Sequence, residues 1–173
     1  MAHHHVPSLS DTKTTLDGLG GRVFAVSAAV GLIGLAATVG LGAAEGDGMR
    51  HFGYSYLVNY AFFLAISLGA LFFVPIQYVT RASWSIVVRR MAETMAAALP
   101  VMAVLAVPVI LMASKVYSWA GPEAVGNPLL AHKAAYLSPR WFTIRWVIYF
   151  VLWTWMAHRF WRNSLAQDAS GDL

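Results

Sequence analysis

The chain has 173 residues, of which 58% are hydrophobic and 12% charged, whereas an ordinary soluble domain carries about a quarter charged residues. The net charge of +4 comes with no folded basic domain, which excludes a nucleic-acid binder of the usual kind; Lys and Arg in so apolar a chain belong to membrane-flanking loops. The absence of cysteine excludes cysteine-ligated iron–sulfur clusters and covalent c-type haem attachment.

Residues 1–21 are polar, with Gly18, Gly20, Gly21 and several hydroxyl side chains, and read as a flexible N-terminal arm. His3, His4 and His5 lie in this arm and are assigned no function. The arm is long, Lys13 is its only Lys or Arg, and the apolar stretch that follows exceeds the ~7–15 residues of a signal peptide. A retained first helix is therefore expected.

Four apolar stretches then follow, at 23–44, 54–79, 95–114 and 141–157. Each approaches the ~20 residues that a helix needs to cross ~30 Å of hydrocarbon. The reading is all-α: an integral membrane four-helix bundle over residues 22–163, with a C-terminal tail at 164–173. Helix 1 carries Ser27, Gly31, Ala36 and Gly40, a small-residue seam of the kind that lets a second membrane helix approach closely. Helix 2 is aromatic, and Pro75 predicts a kink in its last third. Arg81, Arg89, Arg90 and Glu93 mark an interfacial turn leading into helix 3, which Pro100 and Pro108 are expected to bend. A long loop follows Lys115, with an Asn127-Pro128 turn signal. Ser138-Pro139 then supplies a hydroxyl N-cap and a first-turn proline for helix 4.

Basic residues set the orientation. Lys13, Arg22, Arg81, Arg89, Arg90, Arg159 and Arg162 fall on one side, and Arg50, Lys115, Lys133, Arg140 and Arg145 on the other. The seven-to-five bias and the Arg81–Arg90 cluster place both termini and the second connection in the cytoplasm. Trp84, Tyr117, Trp119, Trp141, Trp146 and Trp161 read as interfacial belts. Trp153 and Trp155 continue along helix 4, either as lipid anchors or as a quinone-contacting face.

No catalytic triad, metal motif or phosphate-binding glycine motif is present in the sequence. The histidines sit in the arm, at span ends or in a loop, so no pair is placed to ligate haem in mid-membrane. Glu93 follows Arg89 by four residues and Arg90 by three, spacings that put ion-pair partners on one helical face. The competing reading makes Glu93 a proton-path carboxylate, with Tyr60 and Asn59 as further candidates, because intramembrane ionisable groups mark ion paths. Arg145, one turn inside helix 4, can snorkel or bind a lipid phosphate or a partner carboxylate. Lys133 and Arg140 join it as lipid or partner contacts.

Several segments taken together resemble a known family. They are Tyr56-Leu57-Val58, Leu68-Gly69-Ala70-Leu71-Phe72-Phe73 with Gln77, and Trp84-Ser85-Ile86-Val87-Val88-Arg89-Arg90 with Ala92-Glu93. Ala98-Leu99-Pro100, Pro128-Leu129-Leu130, Lys133-Ala134, Tyr136-Leu137, Ile144-Arg145 and Tyr149-Phe150 follow the same pattern. Ser164-Leu165-Ala166-Gln167-Asp168 and Gly171-Asp172 complete it. Over residues 54–172 the chain is similar to the F subunit of bacterial alternative complex III, a quinol:electron-acceptor oxidoreductase. The resemblance implies a multi-pass subunit of the polysulfide-reductase membrane-anchor type in the bacterial cytoplasmic membrane. Members of that family carry many more helices than four, so the chain is expected to be truncated, split or a half-length relative. The expected function is that of a non-haem subunit of a quinol-oxidising electron-transfer complex, not catalytic alone. It would provide scaffold, lipid or quinone contact and part of a proton path. It would bind no metal or cofactor by itself other than quinone, and its partners would be other membrane and cytochrome subunits. The alternative is a purely structural or assembly subunit.

Overall fold

A computed structural model of the chain describes residues 17–44, 46, 49–80 and 86–170. The histidine run, Lys13, Arg81, Trp84 and residues 171–173 lie outside the described residues. The described residues are mostly helical and contain no strand. The chain divides into two units, residues 1–46 and 47–173.

The first unit consists of α1, Asp17–Ala44. It begins within the expected arm, because a helix in an apolar medium must satisfy its own backbone groups and Gly18–Gly21 join the hydrogen-bonded run. Residues 21–41 are all exposed, apolar ones included, and no polar face alternates with them. A helix hydrophobic all round is suited to lipid. An added Cβ at Gly31 or Gly40 would meet nothing within 4 Å.

The second unit is built on two long helices, α2 (Arg50–Val79) and α8 (Pro139–Ser170), with a segmented run between them. That run comprises α3 (Ile86–Ala96), α4 (Leu99–Leu105), α5 (Val107–Leu111) and α6 (Ala113–Val116). Proline explains two of its breaks. Pro100 and Pro108 each sit in the first turn of a new segment, where a missing N–H costs nothing, and the turns at Ala97-Ala98 and Ala106 precede them. The Tyr56 hydroxyl donates to the Leu105 carbonyl at 2.6 Å, so α2 satisfies an oxygen beside the second break. Pro75, by contrast, lies inside an α2 that continues to Val79.

Among the described residues, three helices are long and apolar enough to cross a membrane: Gly18–Ala44, Arg50–Val79 and the run Val88–Leu111. α8 spans 32 residues but mixes His158, Arg159 and Arg162 into its length. Its start follows the expected cap, with Trp141 N–H donating to Ser138 Oγ at 3.4 Å. Its end does not follow the expected boundary. Residues 164–170 continue the helix instead of forming a tail, because Ser164 is buried and Tyr78 of α2 stacks on Phe160 and reaches Gln167.

The core joins α2, α3, α4 and α8 through Ala70, Leu71, Val74, Ala92, Ala96, Leu99, Phe150 and Ala157. Four of these eight residues are alanine, which permits close backbone approach where lipid supplies no hydrophobic drive.

The loop beyond α6 passes through a 3₁₀ turn at Pro122–Ala124 and α7, Pro128–Ala131. Asn127 caps α7, accepting from Leu129 N–H at 3.0 Å. Gly121 folds this loop back onto α6: a Cβ there would fall 2.8 Å from the Ser114 carbonyl oxygen. Gly121→Ala is therefore expected to destabilise the fold by about 1–3 kcal/mol through a clash with backbone that has no free rotamer. Thermal unfolding in detergent checks this, and an unchanged midpoint refutes the close approach.

Candidate functional site

Two groups of side chains hold polar atoms inside the second unit, at opposite ends of α2. The first group is aromatic. On α8, Phe142, Trp146, Tyr149, Phe150 and Trp153 recur at three- and four-residue intervals and so share one helix face. Trp146 packs on Phe150 with centroids 5.1 Å apart, and Phe150 meets Trp153 edge-on at 5.2 Å. From α2, Phe52, Tyr56 and Tyr60 form a ladder with centroid spacings of 5.7 and 6.4 Å. Tyr60 and Trp146 both line a cavity of about 250 Å³ that Ala106 and, from α5, Val109 and Ile110 help to close.

The lining of this cavity is largely apolar, and two of its polar atoms are deeply buried. The Tyr60 hydroxyl and the Trp146 indole N–H are both buried without a hydrogen-bond partner. The two lie close to one another, near enough for the indole N–H to act on the phenol oxygen. The wall of the cavity thus carries a phenol hydroxyl, which can donate or accept, beside an indole N–H, which can only donate. Buried polar groups of this kind are uncommon and call for a partner.

Tyr117, Trp119 and Phe142 stack at one end of the cavity, with centroids 5.3–5.9 Å apart. Burial pushes the Tyr117 hydroxyl above its ordinary pKa. The tryptophans divided here. Trp119 lies in the turn after α6, whereas Trp146 lines the cavity wall.

A comparison with protein-family models and with curated proteins returns no match.

The second group lies where α2, α3 and α8 converge. The Glu93 side chain is only 1% exposed. One of its oxygens lies 3.7 Å from Arg89 Nε and the other 3.5 Å from Arg90 Nη1. Arg89 also stacks over the Tyr78 ring at 4.8 Å, and Arg90 over Trp161 at 5.7 Å. The two guanidinium groups thus carry charge from α3 to aromatic faces on α2 and α8. Glu93 Oε1 and Gln77 Oε1 remain buried acceptors without a hydrogen bond.

The proton-path candidates are not brought together. Tyr60 faces the cavity, whereas Glu93 contacts the level of Tyr78, about 27 Å further along α2 at 1.5 Å per residue. Asn59 is exposed and donates to the Ser55 carbonyl at 2.8 Å. Arg145 lies 3.7 Å from the centroid of the Tyr136 ring, so it tethers the loop before α8. Lys133 and Arg140 are exposed. Ser27, Gly31, Ala36 and Gly40 are exposed along α1. No group of three His, Asp or Glu side chains suited to a metal ion occurs among the described residues.

Proposed function

We propose that the chain is a non-haem, multi-pass membrane subunit of a quinol-oxidising electron-transfer complex, and that its aromatic cavity receives a quinone head group. The observation that carries this reading is the buried Tyr60 hydroxyl beside the Trp146 indole N–H on the wall of a largely apolar cavity of about 250 Å³. A quinone ring matches on three counts. It is flat enough to lie against stacked aromatic faces. Its carbonyl oxygens accept from the phenol and from the indole. It also dissolves in the same lipid as helices that are apolar on every side. The cavity holds no charged group among its lining residues, which suits a neutral ligand over a charged one.

In this proposal α8 crosses the bilayer as a fourth span, both termini face the cytoplasm of a bacterial cell, and electrons are carried by partner cytochrome subunits. The exposed apolar seam of α1 is where another membrane subunit packs. Arg145, Lys133 and Arg140 gather near the opposite surface, where an acidic partner or lipid phosphate would meet them.

The test is purification of the native assembly in mild detergent, followed by organic extraction. Quinone is expected to co-extract with the wild-type assembly. It is expected to fall about tenfold or more in a Tyr60→Phe/Trp146→Phe variant, since each lost hydrogen bond in a dry site is worth about 1 kcal/mol. The subunits should remain together. Equal quinone in both preparations, with an intact assembly, would leave the chain a structural or assembly subunit.

A further inference from the structure

The loop between α6 and α8 presents apolar and basic side chains together. From α7 to Leu137 its backbone turns helically: Ala131 N–H donates to the Asn127 carbonyl, Lys133 N–H to that of Leu130 and Leu137 N–H to that of Lys133. Leu130 and Leu137 are half-buried. Leu129, His132, Lys133 and Tyr136 are exposed, at intervals of three and four residues that put them on one face. Leu129 is 75% exposed and Tyr136 61%, and Val125, just before α7, is 87% exposed.

Two observations bear on what meets this face. The first is depth. Arg145 stands about 9 Å into α8 at 1.5 Å per residue, and helical side chains tilt back toward the helix start. Its guanidinium lies 3.7 Å from the centroid of the Tyr136 ring, so Tyr136 lies beside the first turns of α8 and does not project beyond them. Trp141, in the first turn of α8, is exposed at the same level, and Tyr and Trp concentrate at the headgroup level of a bilayer. The second observation is charge. From Lys115 to Arg145 the sequence has four Lys or Arg and a single acid, Glu123. Apolar and basic groups sharing a face at headgroup depth make an interfacial segment. Its apolar side chains leave water for the acyl boundary while its cations meet anionic lipid.

We infer that residues 125–136 lie in the headgroup layer of the leaflet opposite the cytoplasm and form an interaction surface for anionic lipid. Val125, Leu129 and Tyr136 enter the acyl boundary, and Lys133 and Arg140 meet the lipid phosphates. This rests on the reading of α8 as a membrane span, and not on the quinone reading of the cavity.

The chain has no cysteine, so a single introduced cysteine carries a fluorophore at one place. The purified full chain, labelled at His132→Cys, is placed in nanodiscs of phosphatidylcholine and phosphatidylglycerol. The quenchers are a nitroxide near the top of the acyl chain, on one lipid or the other, and a neutral water-soluble quencher. The lipid nitroxide is expected to quench the label, about threefold more strongly from phosphatidylglycerol than from phosphatidylcholine, and the aqueous quencher to have little effect. Lys133→Gln/Arg140→Gln should equalise the two lipids, and Val125→Ser/Leu129→Ser should open the label to the aqueous quencher. Quenching from water alone overturns the inference, and so does equal quenching from the two lipids. Loss of the preference in millimolar inorganic phosphate assigns the cations to a free anion and overturns it as well. A label shielded from every quencher in the native assembly shows a partner protein on this face, with the same consequence. Val151 is 65% exposed on α8, and a label at Val151→Cys tests the span separately. If a deep acyl-chain nitroxide quenches it while His132→Cys is open to water, the loop assignment fails alone. If Val151→Cys is open to water, the span and the loop assignment fail together.

Discussion

Replacing Glu93 with leucine is expected to lower the unfolding free energy by about 3 kcal/mol. The side chain is 1% exposed between two guanidinium groups. Removing one partner of a buried pair strands the remaining charge, which typically costs ~3–5 kcal/mol. The lower end applies because Arg90 is 36% exposed and regains water when released. Glu93→Gln keeps the shape but not the charge, and is expected to cost less than leucine because its amide can still accept a hydrogen bond. Pairing Glu93→Leu with Arg89→Met should recover part of the loss, since a packed apolar pair can replace a buried ion pair. Equilibrium unfolding in mild detergent gives the free energies, and a double-mutant cycle isolates the coupling. The experiment also separates a structural pair from a proton carrier. A structural pair loses stability in Glu93→Gln; a proton carrier keeps its stability and loses proton-coupled turnover. If Glu93→Leu is as stable as the wild type, the ion pair holds nothing together.

Leu99→Ala is expected to cost about 1–2 kcal/mol, less than the same change in a water-soluble core. Leu99 is 0% exposed and begins α4 at the break before Pro100. In a soluble protein a buried Leu→Ala change typically costs ~2–5 kcal/mol, because lost transfer from water adds to the cavity left behind. Where unfolded helices remain in lipid, leucine gains no hydrophobic transfer energy from packing. Lost dispersion contacts and the cavity then remain. The size of the effect is therefore a test of the medium. A loss of 4 kcal/mol or more in a detergent unfolding experiment would show that this core unfolds into water, and would contradict the membrane assignment.

The contrast between these two variants follows from which energies survive in lipid. Apolar packing loses its hydrophobic component there, while the cost of an unpaired charge rises. That places Glu93, Arg89 and Arg90 among the strongest determinants of how α2, α3 and α8 converge, although they are few in so apolar a chain. Ser164 and the Tyr78–Phe160 stack extend the same junction along α8, which is why the helix continues where a tail was expected.

Several features were legible in the residue order because their causes are local. Length and apolarity determine which helices can cross a membrane. Ser138 places a helix start, because a side-chain oxygen three residues away reaches a free backbone donor. The spacings Arg89–Glu93 and Arg90–Glu93 put the three charges on one face through helical periodicity alone. Prolines 100 and 108 announced breaks for the same reason. Even the aromatic face of α8 could be read from the intervals between Phe142, Trp146, Phe150 and Trp153. The direction in which that face points could not be read, because lipid and a protein cavity are equally apolar and a tryptophan suits either. Only packing between helices decided it. α2 and α5 enclose Trp146 beside Tyr60, while Trp119 lies in the turn after α6, and no local signal distinguishes the two indoles. The same is true of Arg145, whose place over Tyr136 depends on a loop fold, and of Tyr60 and Glu93, which one long helix holds apart. Local hydrogen bonding and periodicity are properties of the chain; the choice of neighbour in a uniformly apolar surrounding belongs to the tertiary structure.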